Sequence, residues 1–184
     1  MQSRSLFLDR DGVINRDEGY LYRIEDCNFI DGIFDLCRTA HRLGYLLIIA
    51  TNQSGIGRGY FTEQDFQNLM AWMRDRFVAE GAPLTAVYHC PCHPDGLGAY
   101  RKQSDWRKPA PGMLLQAAAD FSLDLSASVL IGDQEHDIAA ARAAGLGAAV
   151  RLADPASTSS AADKVFARLA ECSDWLLQFS ARQL

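Results

Sequence analysis

Asp9 and Asp11 stand two residues apart, so in an extended segment their carboxylates point to one side of the chain. Asp11-Gly12 is also an ordinary turn dipeptide. A calcium loop is a further reading, because Asp9, Asp11, Gly12 and Glu18 fall at its third, fifth, sixth and twelfth places. Its first ligand would then be Phe7, with an apolar strand where a helix belongs, which counts against it. Asp133 and Asp137 form another acidic pair, four apart, as do helix N-terminal charges that answer the macrodipole. Thr51 follows an apolar run and, alone, reads as a cap. Lys108 precedes Pro109 and, alone, reads as a surface lysine.

Taken together these residues ask for a specific chemistry. Carboxylates gathered at one point repel one another unless a cation sits between them, and aspartate oxygens with waters are what Mg²⁺ prefers. A hydroxyl, backbone amides and a lysine opposite that ion would hold a tetrahedral dianion. One aspartate can then form a covalent phosphoryl intermediate, while another protonates the leaving oxygen and activates water. Moving a phosphoryl group is mainly positioning plus charge neutralisation. The pattern points to phosphate-ester hydrolysis.

The elements that must position these residues follow from hydrophobic patterning. Short apolar runs at 5–8, 45–50, 84–89, 128–131 and 148–152 predict strands, the inner ones buried on both faces. Helices are predicted at 32–43, from a Thr62/Asp65 capping box to about residue 80, from Pro111 as first helical residue to 121, and at 134–144. Alternation of strands and helices predicts an α/β fold, a Rossmann-like three-layer sandwich around a central, mostly parallel sheet. Ligands of such folds bind outside the carboxyl ends of the strands. Asp9 and Asp11, Thr51 and Asp133 each follow a predicted strand, and the third strand leads into the loop carrying Arg107 and Lys108. Residues 154–160 read as a surface loop, and the tail with Val165, Leu169, Trp175, Leu176 and Phe179 has no clear pattern.

The 184 residues suit a single domain spanning 1–184, and 48% hydrophobic with 22% charged residues excludes a disordered chain. No apolar run reaches the roughly 20 residues that span a bilayer, and the amino terminus lacks a secretory apolar stretch, so a cytoplasmic protein is expected. A net charge of −5 argues against binding nucleic acid or an anionic membrane. Arg101, Lys102, Arg107 and Lys108 are a local exception, suited to a solvated loop or to a small anionic substrate. Five cysteines without secretory context are expected as reduced thiols. The run Gly55-Ile56-Gly57-Arg58-Gly59 lacks the Walker lysine and the dinucleotide spacing and reads as a mobile loop. No exposed apolar stripe demands a partner, so a monomer is expected.

Leu6 to Val13, Thr51, Lys108 and Gly132-Asp133 with Asp137 resemble, in order, the four motifs of the haloacid dehalogenase superfamily, covering nearly the whole chain. Val13 departs from the usual threonine. Residues 8–15, 17–20, 51–59 and 107–113 are similar to the subfamily of heptose bisphosphate and histidinol phosphate phosphatases. The resemblance implies Asp9 as nucleophile, Asp11 as acid and base, and Thr51 and Lys108 on the transferring phosphoryl group. It implies Mg²⁺ on Asp9, the Asp11 carbonyl and Asp133, with Asp137 left outside the ligand set. Asp17, Glu18, Gly19, Tyr20, Asn52, Gln53, Ser54 and Arg107 would line the substrate site, with the Arg107 fork on a second phosphate. The implied substrate is a small phosphorylated sugar, heptose 1,7-bisphosphate losing its 7-phosphate on the way to lipopolysaccharide core. Histidinol phosphate or another sugar phosphate is the rival, a nucleic-acid 3′-phosphatase is disfavoured by charge, and a non-catalytic cation-binding module is the alternative from another class.

Two departures qualify this likeness. The subfamily often closes a zinc loop with Cys-x-His and Cys-x-Cys pairs, whereas this chain has Cys90, Cys92 and His93 but Ser104 and Trp106 at the second pair. Two or three soft ligands rarely close a tetrahedral site, so zinc on Cys90 and Cys92 is disfavoured and packing, with Trp106, is expected to hold the loop. Gln134 stands where relatives often have lysine. The gaps 12–32 and 90–108 are too short for a cap domain, which needs about 50 residues, so specificity must come from loops.

Overall fold

The structure, a computed structural model, describes residues 3–156 and 159–182. Met1 and Gln2 of the amino-terminal segment and residues 157–158 of the predicted surface loop lie outside the described residues. Six strands form one sheet: β1 (Arg4–Leu8), β2 (Tyr45–Asn52), β3 (Leu84–Cys90), β4 (Val129–Gly132), β5 (Ala148–Leu152) and β6 (Lys164–Phe166). Their order is β3-β2-β1-β4-β5-β6 and every pairing is parallel. The helices are α1 (Ile33–Arg42), α2 (Ser54–Gly57), α3 (Glu63–Ala79), α4 (Gly112–Phe121), α5 (Glu135–Ala144) and α6 (Leu169–Ala181).

The two-residue period of a strand sorts the core into two layers. Leu6, Leu8, Leu47, Ile49, Val129 and Ile131 pack with α1, α3 and α6 on one face. Phe7, Ile48 and Leu130 pack with α4 and α5 on the other. Burial on both faces explains the unbroken apolar runs, and each such side chain contributes roughly 1.5–3 kcal/mol relative to exposure. The predicted three-layer α/β sandwich is therefore the observed one. Between 12 and 32, and between 90 and 108, the described chain holds only loops and single 3-10 turns, so no cap domain covers the strand ends.

The chain winds outward from β1 to β3 and then from β4 to β6 in the opposite direction. The switch point falls between β1 and β4, and a crevice opens there at the carboxyl ends. The Thr62/Asp65 capping box forms, Asp65 N donating to Thr62 Oγ1 at 3.1 Å and Thr62 N to Asp65 Oδ2 at 2.8 Å.

Four local readings need correction. Strand β2 runs on to Asn52 because Thr51 and Asn52 pair with His89 and Cys90 of β3. Pro111 is the cap of α4 rather than its first residue, its carbonyl accepting from Leu114 N and Leu115 N at 2.9 and 3.0 Å. The tail forms a sixth strand and α6, where Leu169, Cys172 and Leu176 recur at helical spacing and are buried over α1. The glycine run is not a mobile loop: residues 54–57 make the helical turn α2, packed so closely that a Cβ on Gly55 would lie 2.2 Å from the Phe61 ring. One on Gly57 would lie 2.2 Å from the Pro91 carbonyl oxygen. Only glycine fits either place.

Candidate active site

Asp9 is the first residue past β1, and its N–H donates to Ile131 O of β4 at 3.0 Å, which fixes it over the switch point. Lys108 reaches the same place from a loop. Its Nζ lies 2.9 Å from Asp9 Oδ1 and 2.6 Å from Asp137 Oδ1, and donates to Ala50 O at 2.7 Å. The loop itself is held by Asn52 on β2, whose amide donates to Lys108 O at 3.1 Å and accepts from Lys108 N at 3.0 Å. The side chain of Asn52 lines the pocket but its hydrogen bonds go to this backbone.

Asp137 sits in the first turn of α5, where Gln134 N donates to its Oδ2 at 3.0 Å. Its capping role is the one expected of helix N-terminal charge, and its second oxygen serves the site. Asp133, past the end of β4, turns Oδ2 to Gln134 Nε2 at 2.7 Å. Its Oδ1 is buried without a hydrogen-bond partner. Gly12, at φ +83°, passes so close that a Cβ there would fall 2.4 Å from Asp133 Oδ2.

Burial raises the Asp9 carboxyl to about 7; Lys108 opposes this and Asp137 adds to it. Burial likewise raises Asp133. Burial alone would lower Lys108, but Asp9 and Asp137 outweigh it and hold the ammonium above its ordinary value. A carboxylate group held above its usual range by desolvation gains most from a cation. One oxygen from each of Asp9, Asp133 and Asp137 lies within 4.8 Å of the others. This trio and the orphaned Asp133 Oδ1 fit a hard divalent ion with oxygen ligands. Among the described residues no other group of three His, Cys, Asp or Glu side chains is so arranged. The side chain of Asp137, outside the expected ligand set, thus belongs with the carboxylates, whereas that of Asp11 does not.

Asp11 instead lies at the mouth of the site, its carboxylate oxygens accepting from Arg10, from Asn15 Nδ2 at 3.0 Å and from Gln53 Nε2 at 3.0 Å. Gln53 Nε2 also donates to the buried Thr51 Oγ1 at 3.0 Å, linking the ends of β1 and β2.

A pocket of about 310 Å³ covers these groups. Asp9, Asp11, Asp17, Gly19, Tyr20, Thr51, Asn52, Gln53, Ser54, Arg107 and Asp133 line it, while Lys108 lies beneath its floor. Glu18 does not belong to it; this residue borders a neighbouring cavity with Tyr22 and Arg23, which Gly19 and Tyr20 line as well. Gln134, which the sequence marked only as a departure from lysine, and His136, which no motif marked, also line the pocket. His136 Nε2 is 3.6 Å from Asp137 Oδ1, and burial holds its imidazole below the usual range. Arg107 donates to Cys92 O at 3.3 Å, and burial lowers its guanidinium. Cys90 and Cys92 are buried. His93 contacts Arg58 and Asp95, and Trp106 faces Tyr88 at 6.1 Å between ring centroids.

Comparison with known proteins places this arrangement. A family model described as HAD-hydrolase-like matches residues 105–172. A Burkholderia mallei protein named D-glycero-alpha-D-manno-heptose-1,7-bisphosphate 7-phosphatase is 56% identical over 155 residues, 84% of this chain and 82% of its own. The chain belongs to the haloacid dehalogenase-like phosphatases. A Yersinia pestis member of this family, named as the corresponding enzyme of the beta anomer, is 44% identical over 91% of this chain and 92% of its own. The crystal structure of a D,D-heptose 1,7-bisphosphate phosphatase from B. bronchiseptica, complexed with magnesium and phosphate, superposes with a TM-score of 0.83. It is 27% identical and the match covers 95% of this chain and 98% of that one.

Proposed function

We propose that this haloacid dehalogenase-like phosphatase removes the 7-phosphate from a D-glycero-D-manno-heptose 1,7-bisphosphate, with Mg²⁺, on the way to lipopolysaccharide core. The observation that carries the reading is the Asp9–Lys108–Asp137 contact beside Asp133, under a pocket that also holds Arg107. The relatives' names supply the sugar.

Asp9, Asp133 and the Asp11 carbonyl would hold the ion, with Asp137 beside them. When bound, Mg²⁺ neutralises the charge between these carboxylates and the phosphate dianion. Thr51 Oγ1 and Lys108 Nζ orient the phosphoryl group over Asp9. An Asp9 oxygen attacks phosphorus while the bond to the sugar oxygen breaks, and Asp11 gives that oxygen its proton. Asp11 then takes a proton from water, whose oxygen attacks phosphorus and releases phosphate and the Asp9 carboxylate. The pocket volume suits one sugar, and the Arg107 fork suits its remaining phosphate.

The chain works as one domain and one monomer in the cytoplasm. Among the described residues no helix is long and apolar enough to cross a membrane. We infer that the loop from Cys90 to Trp106 is held by packing rather than by zinc, a reading supported by the His93 contacts to Arg58 and Asp95 and by the burial of both cysteines.

Steady-state turnover on both anomers of heptose 1,7-bisphosphate, fructose 1,6-bisphosphate and histidinol phosphate, with and without Mg²⁺, tests the reading. The heptose should be preferred, and Arg107→Ala should lower kcat/KM on it by roughly 10–100-fold, the worth of a charge-assisted hydrogen bond, while sparing a monophosphate. Preference for histidinol phosphate would favour the rival enzyme. Hydrolysis of no phosphate ester would leave a cation-binding module.

A further inference from the structure

Arg10 lies between the two motif aspartates, and its guanidinium is fully buried. Removing a charge from water costs several kcal/mol after relaxation, so a lone buried arginine needs a use. Its Nε donates to Asp11 Oδ1 at 3.1 Å, and its Nη2 reaches Oδ1 and Oδ2, each at 2.9 Å. Nη2 is itself tied to Leu21 O at 3.0 Å, and the Phe66 ring of α3 lies 5.8 Å from the guanidinium carbon. The peptide oxygen of Arg10 accepts from Ile14 N at 2.8 Å, closing the turn. Arg10 is therefore anchored from both sides, while the Asp11 carboxylate remains 24% exposed at the pocket.

We propose that Arg10 is a positioning residue that fixes the Asp11 carboxyl in the rotamer from which it meets the leaving oxygen. This rests on Asp11 acting as acid and base in the proposed phosphatase reaction. The neutral donors Asn15 and Gln53 hold the carboxyl from other directions, but neither grips both of its oxygens. In the first half-reaction the Asp9 oxygen bonds to phosphorus, the bond to the leaving oxygen breaks, and the Asp11 proton passes to that oxygen. An alkyl alkoxide needs the proton, whereas a nitrophenolate departs without it. Loss of Arg10 should harm the first substrate class and spare the second.

The experiment measures kcat/KM of the Mg²⁺-loaded enzyme on a sugar phosphate and on p-nitrophenyl phosphate, for wild type, Arg10→Met and Arg10→Lys. Arg10→Met should lose about 10²-fold on the sugar phosphate and less than about tenfold on the aryl ester. Arg10→Lys keeps the charge without the fork and should show the same bias. In an Asp11→Asn background the Arg10 substitutions should add no further bias, since the group they position has gone. Equal losses on both esters, or a bias that persists without Asp11, would overturn the proposal. Arg10→Lys decides the matter if Arg10→Met does not fold. Wild-type inactivity on both esters would instead strike at the phosphatase reading.

Discussion

Lys108 Nζ lies 2.6 Å from Asp137 Oδ1, and the pair joins a loop to the first turn of α5 with almost no exposure of either side chain. The same ammonium meets Asp9, so the contact sets where Lys108 stands beside Asp9. Breaking a buried ion pair by removing one partner costs about 3–5 kcal/mol. Asp137→Asn should fall near the lower end, because Lys108 keeps Asp9, and displacement of Lys108 should lower kcat by about 10²-fold. Urea unfolding and steady-state kinetics check both, and an unchanged midpoint would contradict the structural half.

Among the described residues Asp133 Oδ1 has no hydrogen-bond partner, while Gln134 secures Oδ2. Asp133→Asn should therefore raise the Mg²⁺ concentration for half-maximal turnover by at least about tenfold, since even outer partners of a metal ligand are worth 10–100-fold. The check is a Mg²⁺ titration after chelation. An unchanged midpoint would remove Asp133 from the ligand set.

The raised Asp9 carboxyl makes a prediction about stability against pH. Its ordinary value is 3.8 and in the folded protein it is about 7, chiefly through burial. Between these values the folded state holds a proton that the unfolded chain has released. Stability from this group is fully present below about pH 4, falls as pH rises, and is lost above about 7. In metal-free protein, wild type should thus lose more unfolding free energy than Asp9→Asn between pH 5 and pH 8. Urea titrations at the two values measure the difference, and equal losses would contradict it.

Much of this was legible because the strands announce themselves. Leu6 to Leu8 and Tyr45 to Ala50 are apolar without interruption, so Asp9 and Thr51 stand out at their ends, and the fold class dictates that such ends converge. Asp137 was legible as a helix charge but not as a partner of Lys108, since that contact depends on where a loop lies, which Asn52 decides through backbone hydrogen bonds. The three-residue β6 is too short to show a period, and α6 opens on Arg168 and Glu171 without a Ser, Thr, Asp or Asn cap. Glu18 was assigned by motif alone, and a motif does not say which way each residue of a turn faces. The glycines of α2 looked mobile because glycine permits motion, whereas here it permits contact.

The central claim is that the phosphoryl group passes through Asp9. Rapid acid quench of the Mg²⁺-loaded enzyme turning over its bisphosphate, followed by peptide mass analysis, tests it most directly. One phosphoryl group should appear on Asp9 in wild type and be absent in Asp9→Asn together with turnover. Undiminished turnover by Asp9→Asn, or a phosphoryl group found on another residue, would contradict the account.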